Sequence, residues 1–239
     1  MKTEIFFSTL LSQPIFGNLA KIDAMIAEWR ANATANGQGP TTRGAMLHST
    51  STLRALENYG CFCYFDENHT KGSGNPKNEI DERCLSLHQG YSCAKIDGSC
   101  DEPWNANYQV FIGFNELYSN ASPEQIAVDQ CSGGNSGCEL RACITEVNFA
   151  VTMFRDVTVF QGTYDQQYHH SNNFDTASEC PKKAPQVGSV SCCGDYPNRV
   201  PFKTSSNTFT RDCCGGTIYD TDMYCCSGNA VQIVGTCTP

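Results

Sequence analysis

Sixteen cysteines in a chain of 239 residues restrict what this protein can fold into more than any other feature of its sequence. Cysteine at this density, much of it in clusters, is typical of domains held by disulfide bonds in an oxidising compartment. A cytosolic zinc protein is the competing interpretation, but the C-x2-C spacing of zinc sites is absent and the five histidines are scattered. The cysteines therefore predict a disulfide framework and export from the cell.

The N-terminal residues also favour export. Lys2 precedes a short apolar stretch, residues 5–11, that is typical of a signal peptide and too short to cross a bilayer. We place this signal peptide at residues 1–20. No other stretch approaches transmembrane length, so we expect a secreted, extracellular protein without a transmembrane segment. Three Asn-x-Ser/Thr triplets are candidate acceptors for N-linked glycans, and they begin at Asn32, Asn68 and Asn120.

The charge balance limits the choice of partner. The net charge is −9, and the sequence has no basic stripe to neutralise phosphates, so nucleic acid is excluded as a partner. An acidic exported protein could face calcium, mineral or a cationic partner. The alternative is that the charge serves solubility alone.

Three segments have the apolar spacing of amphipathic helices, residues 21–36, 78–97 and 137–155. Residues 108–114 have the composition of a strand, which we place in a small hairpin. The apolar faces of the three helices consist of Ile22, Met25, Ile26 and Trp29 in the first, Ile80, Cys84, Leu87 and Tyr91 in the second, and Cys143, Val147, Ala150 and Phe154 in the third.

The C-terminal module, residues 191–239, follows a proline-containing linker at residues 181–190. Adjacent cysteines rarely bond each other, because the ring would be strained, so each pair is expected to bond two different partners. A module this small needs such bonds to hold its shape. The pairs Cys192-Cys193, Cys213-Cys214 and Cys225-Cys226 resemble the dicysteine repeats of galaxin-type extracellular matrix proteins.

Two cysteine-framed segments of residues 21–180 carry a further pattern. The first has the letters Y-G-C-F-C from Tyr59 to Cys63 and D-E-R-C-L-S-L-H-Q-G-Y from Asp81 to Tyr91. The second has the spacing C-x6-C-x4-C at Cys131, Cys138 and Cys143. Together they resemble secreted phospholipase A2, a family with a Y-G-C-Y-C-G calcium loop and helices of the pattern D-x-C-C-x-x-H-D-x-C-Y and C-x6-C-x4-C-x-C-D.

The resemblance implies a mainly α, disulfide-rich fold in which a pair of antiparallel helices accompanies a small β-hairpin. The C-terminal module would add a small cystine-rich unit of β or irregular structure. Two family bridges would have lost both halves, since Arg83 and Gly90 stand opposite Thr152 and Thr145. Cys93 would then bond outside the phospholipase-like set. The retained disulfides implied by the resemblance are Cys63–Cys84, Cys100–Cys138, Cys131–Cys143 and Cys61–Cys180.

The catalytic residues of the family are altered in this register. Leu87 occupies the position of the catalytic histidine and Glu146 that of the acid that orients it. His88 occupies the position of the calcium-binding aspartate, and neutral imidazole is a poor ligand for calcium. Tyr91 stands where a tyrosine bonds the acid. A slip of one residue would instead make His88 the base beside Glu146, with Gln89 at the calcium position.

Only a weak remnant of the calcium loop is present. Tyr64 and Asp66 replace its glycines, while Gly72 and Gly74 match its end, and the loop is longer than is usual in the family. We therefore expect no cofactor, and calcium only if the protein is an enzyme.

Three functions fit these residues. The first is a catalytically inactive phospholipase-like protein with a structural or ligand-binding role at extracellular matrix, mineral or a lipid surface. The second is a divergent calcium-dependent phospholipase A2 that hydrolyses the sn-2 ester of phospholipids. The third is a lipid-surface or toxin-like binding module, which would need an exposed apolar ring formed by residues such as Ile22, Met25 and Trp29.

Overall fold

Three long helices and three β-hairpins form most of the chain that the computed structural model describes, residues 18–35, 56, 59–65, 72–98, 100–112, 114–156, 174–182, 188–205 and 209–237. The helices are α1 (Leu19–Ala35), α2 (Glu79–Ile96), α3 (Phe114–Leu117), α4 (Pro123–Cys131), α5 (Gly137–Asp156) and α6 (Thr176–Glu179), with a 3₁₀ turn at Pro103–Asn105. The strands form the antiparallel pairs β1 (Val190–Cys193) with β2 (Val200–Lys203), β3 (Arg211–Cys214) with β4 (Thr217–Asp220), and β5 (Tyr224–Ser227) with β6 (Ala230–Ile233).

The three helices predicted from apolar spacing are confirmed as α1, α2 and α5. Their predicted apolar faces are buried, apart from Phe154, which is half-buried against the same core. The Trp29 ring meets the Phe154 ring edge to face at 5.9 Å, which joins the end of α1 to the end of α5. The interior is therefore built mainly between these helices.

Helices α2 and α5 pack side by side and run antiparallel. Gly90 on α2 lies against Thr145 on α5, and a Cβ at residue 90 would come within 2.5 Å of the Thr145 Cγ2 atom. Directly after the last residue of α2, the Asp97 carboxylate lies 4.0 Å from the Arg141 guanidinium. The absence of a side chain at Gly90 thus leaves the space that the Thr145 side chain occupies between the two helices.

Polar caps define where two of the helices begin. The Asn78 side chain accepts a hydrogen bond from the Asp81 N–H at 3.2 Å at the start of α2. Ser122 likewise accepts from the Gln125 N–H at 3.1 Å at the start of α4. The Ser122-Pro123 pair, a cap followed by proline in the first turn, is a helix-start signal that our sequence analysis missed.

The strand and hairpin predicted at residues 108–114 are wrong: residues 106–112 are irregular and α3 begins at Phe114. The side-chain amide of Asn135 takes the place of a neighbouring strand. Its Oδ1 accepts from the Gln109 N–H at 2.8 Å, and its Nδ2 donates to the Gln109 carbonyl at 2.6 Å. These two bonds satisfy backbone groups that a strand partner would otherwise pair.

All sixteen cysteines are in disulfide bonds. Because each bond restricts the unfolded chain, a native disulfide typically stabilises a domain by about 2–4 kcal/mol. The four pairs that the resemblance implied are all formed, and they are Cys61–Cys180, Cys63–Cys84, Cys100–Cys138 and Cys131–Cys143.

The remaining bonds attach and link the C-terminal hairpins. Cys93 on α2 bonds Cys192 on β1, which joins the C-terminal module covalently to the helices. Neighbouring cysteines have different partners, as predicted. The hairpins are connected in series by Cys193–Cys213 and Cys214–Cys226, and the last is closed by Cys225–Cys237.

An ion pair reinforces this junction beside the disulfide. The Arg199 guanidinium donates to both oxygens of Asp97, at 2.9 and 3.0 Å, and the Tyr196 hydroxyl donates to the same carboxylate at 3.0 Å. Burial tends to raise the pKa of Asp97, but the bonds from Arg199 and Tyr196 outweigh it and lower the pKa. The module is therefore held on the end of α2 by a covalent bond and a two-pronged polar contact.

The structure also locates the predicted glycan acceptors and the boundary of the linker. Asn32 is exposed on α1, Asn120 is exposed in the turn before α4, and Asn68 lies outside the described residues. Val190, assigned to the linker, belongs to β1. Within the described part of the chain, no helix combines the length and the apolar character needed to cross a membrane.

We predict that Arg199→Lys lowers the free energy of unfolding by about 1 kcal/mol, because lysine cannot make the two parallel bonds to Asp97. The pKa of Asp97 is lowered in the folded protein, so this contribution is present above the carboxyl's ordinary pKa and disappears as pH falls through the lowered value. Urea titration with the disulfides intact measures the change. Arg83→Lys, at a half-buried arginine of α2, is the matched control. Equal effects of the two substitutions would contradict the prediction.

Candidate functional site

The Glu146 carboxyl group on α5 is the centre of a buried polar network. Its side chain has no exposure to solvent. Tyr91 on α2 donates to Oε1 at 2.8 Å and Tyr108 donates to Oε2 at 2.5 Å. The Asn18 amide donates to Oε1 at 3.3 Å and to the Ala106 carbonyl at 2.7 Å. Glu146 therefore joins α5 to α2, to the start of α1 and to the irregular segment.

Burial determines the protonation behaviour of this group. Loss of solvation raises the pKa of Glu146 to about 8, against the opposing effect of the hydrogen bonds from Tyr108, Tyr91 and Asn18. The pKa values of both tyrosines are raised well above 10, first by burial and then by the neighbouring carboxyl. The tyrosines therefore stay protonated and serve as donors at physiological pH.

Helix α2 presents Leu87 and His88 to different neighbours. Leu87 is 1% exposed and lies one turn before Tyr91, on the helix face that reaches Glu146. The His88 ring instead bonds the Phe62 carbonyl through Nε2 at 2.7 Å. A carbonyl oxygen only accepts, so Nε2 carries the proton in this bond. The hydrogen bonds of Glu146 come from Asn18, Tyr91 and Tyr108, and His88 is not among these donors.

The Phe62 carbonyl that His88 contacts cannot accept a further hydrogen bond. The Phe62 oxygen also accepts from the Tyr64 N–H at 2.8 Å, so both of its lone pairs are engaged. An ion at this oxygen would have to displace one of the two donors. The imidazole of His88 thus fills the space between α2 and the loop at residues 59–65.

The buried carboxylate of Asp81 holds the same loop from the other side. It accepts the N–H groups of Cys61 at 2.8 Å, Phe62 at 2.7 Å and Lys77 at 2.9 Å. Gly60 has φ +60°, and a Cβ there would clash with the Asp81 carboxylate. Glycine at residue 60 therefore allows the close approach that the Asp81 bonds require.

The remaining loop residues have packing roles. A Cβ at Gly72 would clash with the Phe62 ring, and a Cβ at Gly74, which has φ +81°, would lie 2.9 Å from the Cys180 Cα atom. The Tyr64 N–H is used within the loop, as described above. Asp66 lies outside the described residues.

The groups present do not fit the calcium site that the resemblance implies. Calcium takes six to eight oxygen ligands, usually including carboxylates. Here an imidazole stands in the acid's position, and the loop oxygen that it faces is already saturated by hydrogen bonds. The described residues contain no cluster of three or more His, Cys, Asp or Glu side chains that could hold a metal ion.

The apolar ring proposed for lipid contact is wrong for the residues that we named. Ile22, Met25 and Trp29 are at most 7% exposed and belong to the core. Helix α1 uses this face to pack against α5. These side chains are therefore unavailable to a membrane surface.

Two members of the Glu146 network were missed in the sequence. Tyr108 was assigned to a strand and Asn18 to the signal peptide, although each carries a polar group within an apolar stretch. A buried polar group needs a hydrogen-bond partner. The polar groups of Tyr108 and Asn18 therefore indicated that each residue would have such a partner. The identity of the partner depended on the fold, because Tyr108 and Asn18 are far from Glu146 along the chain.

No protein-family model matches the chain, and no curated protein matches it significantly. The interpretation of the site therefore rests on its geometry.

We predict that the free energy of unfolding falls as pH rises from about 5 to about 9. Folding raises the pKa of Glu146 from 4.5 to about 8, so its contribution is complete below the unfolded value and is lost as pH rises through the folded value. This pH dependence should disappear in Glu146→Gln, because glutamine has the same shape and carries no charge. Urea titrations between about pH 5 and 9 measure the slope of the free energy of unfolding against pH.

Glu139→Gln is the matched control, since Glu139 is an exposed residue of the same helix. It should keep the slope of the unaltered protein. A slope that persists in Glu146→Gln would show that another group causes the pH dependence.

Proposed function

We propose that this chain is an exported protein of the phospholipase A2 type that does not hydrolyse lipid. Its role is structural or ligand-binding in the extracellular space, at matrix, mineral or a lipid surface. Residues 21–180 supply the phospholipase-like domain, and residues 191–239 supply a cystine-rich module of the galaxin type.

The observation that carries this proposal is the direction of two neighbouring side chains on α2, those of Leu87 and His88. A phospholipase of this type uses a histidine beside the buried acid as general base on a water molecule. Leu87 lies on the face of α2 that reaches Glu146 and cannot take a proton. The imidazole of His88 is directed to the Phe62 carbonyl instead.

The extracellular location is supported by the cysteines. All of them are oxidised in pairs, and thiols in the cytosol are kept reduced. The buried disulfide between Cys63 and Cys84 also closes the loop at residues 59–65 on α2, which would be lost in a reducing compartment.

The retained acid network favours the rival function, a divergent calcium-dependent phospholipase A2. Glu146 and Tyr91 keep the hydrogen bond that an orienting acid needs. Among the described residues this geometry orients no histidine, however, and the same bonds have a structural use in joining α5 to α2. We therefore rank the enzyme second.

We predict that the purified protein releases no fatty acid from phospholipid vesicles in a calcium-dependent manner. Loss of the general base alone typically lowers the rate by about 10²–10⁴-fold, and an absent calcium ion removes stabilisation of the oxyanion as well. Release is measured by titration of liberated acid, with and without a chelator, beside an active secreted phospholipase A2 as positive control.

His88→Ala and Glu146→Gln should leave this background unchanged. Turnover that is sensitive to the chelator and abolished by His88→Ala would restore the enzyme interpretation. It would also show that His88, rather than Leu87, is the residue that works with Glu146.

We also predict that the protein adsorbs to calcium mineral more strongly than to anionic vesicles. A net charge of −9 is attracted to surface calcium and repelled by anionic headgroups, and both effects weaken with salt. Co-sedimentation with calcium carbonate or with vesicles at about 0.05 and 0.5 M NaCl measures this. Stronger binding to the vesicles, or adsorption that salt does not reduce, would argue against a mineral partner.

A further inference from the structure

Asn18, the residue directly before α1, is part of the protein interior. Its side chain is 3% exposed, and its amide donates to the Ala106 carbonyl and to Glu146. Its backbone N–H donates to the Trp104 carbonyl at 2.7 Å. Its own carbonyl accepts two N–H groups from the first turn of α1, those of Lys21 and Ile22. Five separate hydrogen bonds thus depend on this one residue.

A leader that ends at residue 20 is incompatible with these contacts. Cleavage after Ala20 would remove Asn18 together with the first two residues of α1. The Ala106 and Trp104 carbonyls would each lose a donor, and Glu146 would lose one of its three hydrogen bonds. Buried polar groups left without partners are costly, so the folded protein needs Asn18 to be retained.

The sequence offers a suitable bond directly before Asn18. Signal peptidase requires a small residue before the cut, and Gly17 meets this requirement. Ser12, Gln13 and Pro14 end the apolar stretch at residues 5–11 shortly before this bond. Cleavage after Ala20 places Asn18 third from the cut, and cleavage after Gly17 places Ile15 there. Neither residue is small, so the burial of Asn18 decides between the two bonds.

We propose that signal peptidase hydrolyses the Gly17–Asn18 peptide bond, so that Asn18 is the first residue of the exported protein. Water adds across the amide, leaving a carboxylate on Gly17 and an α-amino group on Asn18. The new amino group keeps the hydrogens needed for the bond to Trp104. This inference rests on the export that the proposed function assumes, and it corrects the boundary of residues 1–20.

The amino terminus of the secreted protein tests the inference. The full chain is expressed in insect cells, the medium is collected, and all amines are dimethylated before digestion with trypsin. Trypsin then cuts only after arginine, so the expected labelled peptide spans residues 18–30. A labelled peptide of residues 21–30, or one that begins before residue 18, overturns the inference while leaving export intact. Retention in the cell with Met1 in place overturns both.

Two leader-region variants separate the competing bonds. Gly17→Leu places a bulky residue before the proposed cut, and we expect it to abolish the Asn18 terminus. Ala20→Leu blocks only a cut after residue 20, and Ala20 is exposed on α1, so the core tolerates the change. We expect Ala20→Leu to leave the Asn18 terminus unchanged. The opposite pattern of effects would overturn the inference.

Stability provides a readout that does not depend on the peptidase. Two versions are made behind a heterologous leader, one beginning at Asn18 and one at Lys21. We expect the version that begins at Lys21 to have a Tm lower by several degrees, because the bonds of Asn18 are missing. Asn18→Ala in the longer version should reproduce part of this loss. Equal Tm values for the two versions would show that Asn18 is dispensable and overturn the inference.

Discussion

The hydrogen bonds that Glu146 accepts in the interior hold together segments that no disulfide joins. Helix α1 contains no cysteine, and neither does the irregular segment that carries Tyr108. A buried carboxyl group is costly unless its oxygens are satisfied, and here Asn18, Tyr91 and Tyr108 satisfy them from three directions. Because Glu146 needs these hydrogen bonds in order to be buried, the bonds also determine how α1 and residues 106–112 lie against α5.

A second constraint acts on the loop at residues 59–65, which is closed by covalent and polar bonds together. Disulfides at Cys61 and Cys63 tie it to the segment after α6 and to α2. Asp81 holds its N–H groups, and His88 holds the Phe62 carbonyl. The loop is shaped by groups of the protein itself.

The C-terminal hairpins show how little apolar burial a chain needs when covalent bonds replace it. Cys192, Cys193 and Phe202 are buried in the first hairpin, Cys214 is the buried strand residue of the second, and the described strand residues of the third include none. Each hairpin is linked to the next by a disulfide. Such bonds offset chain entropy that a small core could not. The Asp97–Arg199 contact then orients the first hairpin on the helices.

The sequence alone determined the three long helices, because the apolar period is a local property of the chain, and the number of cysteines predicted a disulfide framework. Four of the disulfide pairs were implied by the resemblance to secreted phospholipase A2, while the pairing within the C-terminal module was left open. It did not reveal that Asn135 would replace a strand partner for Gln109, or that Asn18 and Tyr108 would bond Glu146. The sequence indicated that either Leu87 or His88 faces Glu146 but did not decide which. Only the tertiary structure decided these points, since each buried polar group takes the partner that packing brings within hydrogen-bond distance.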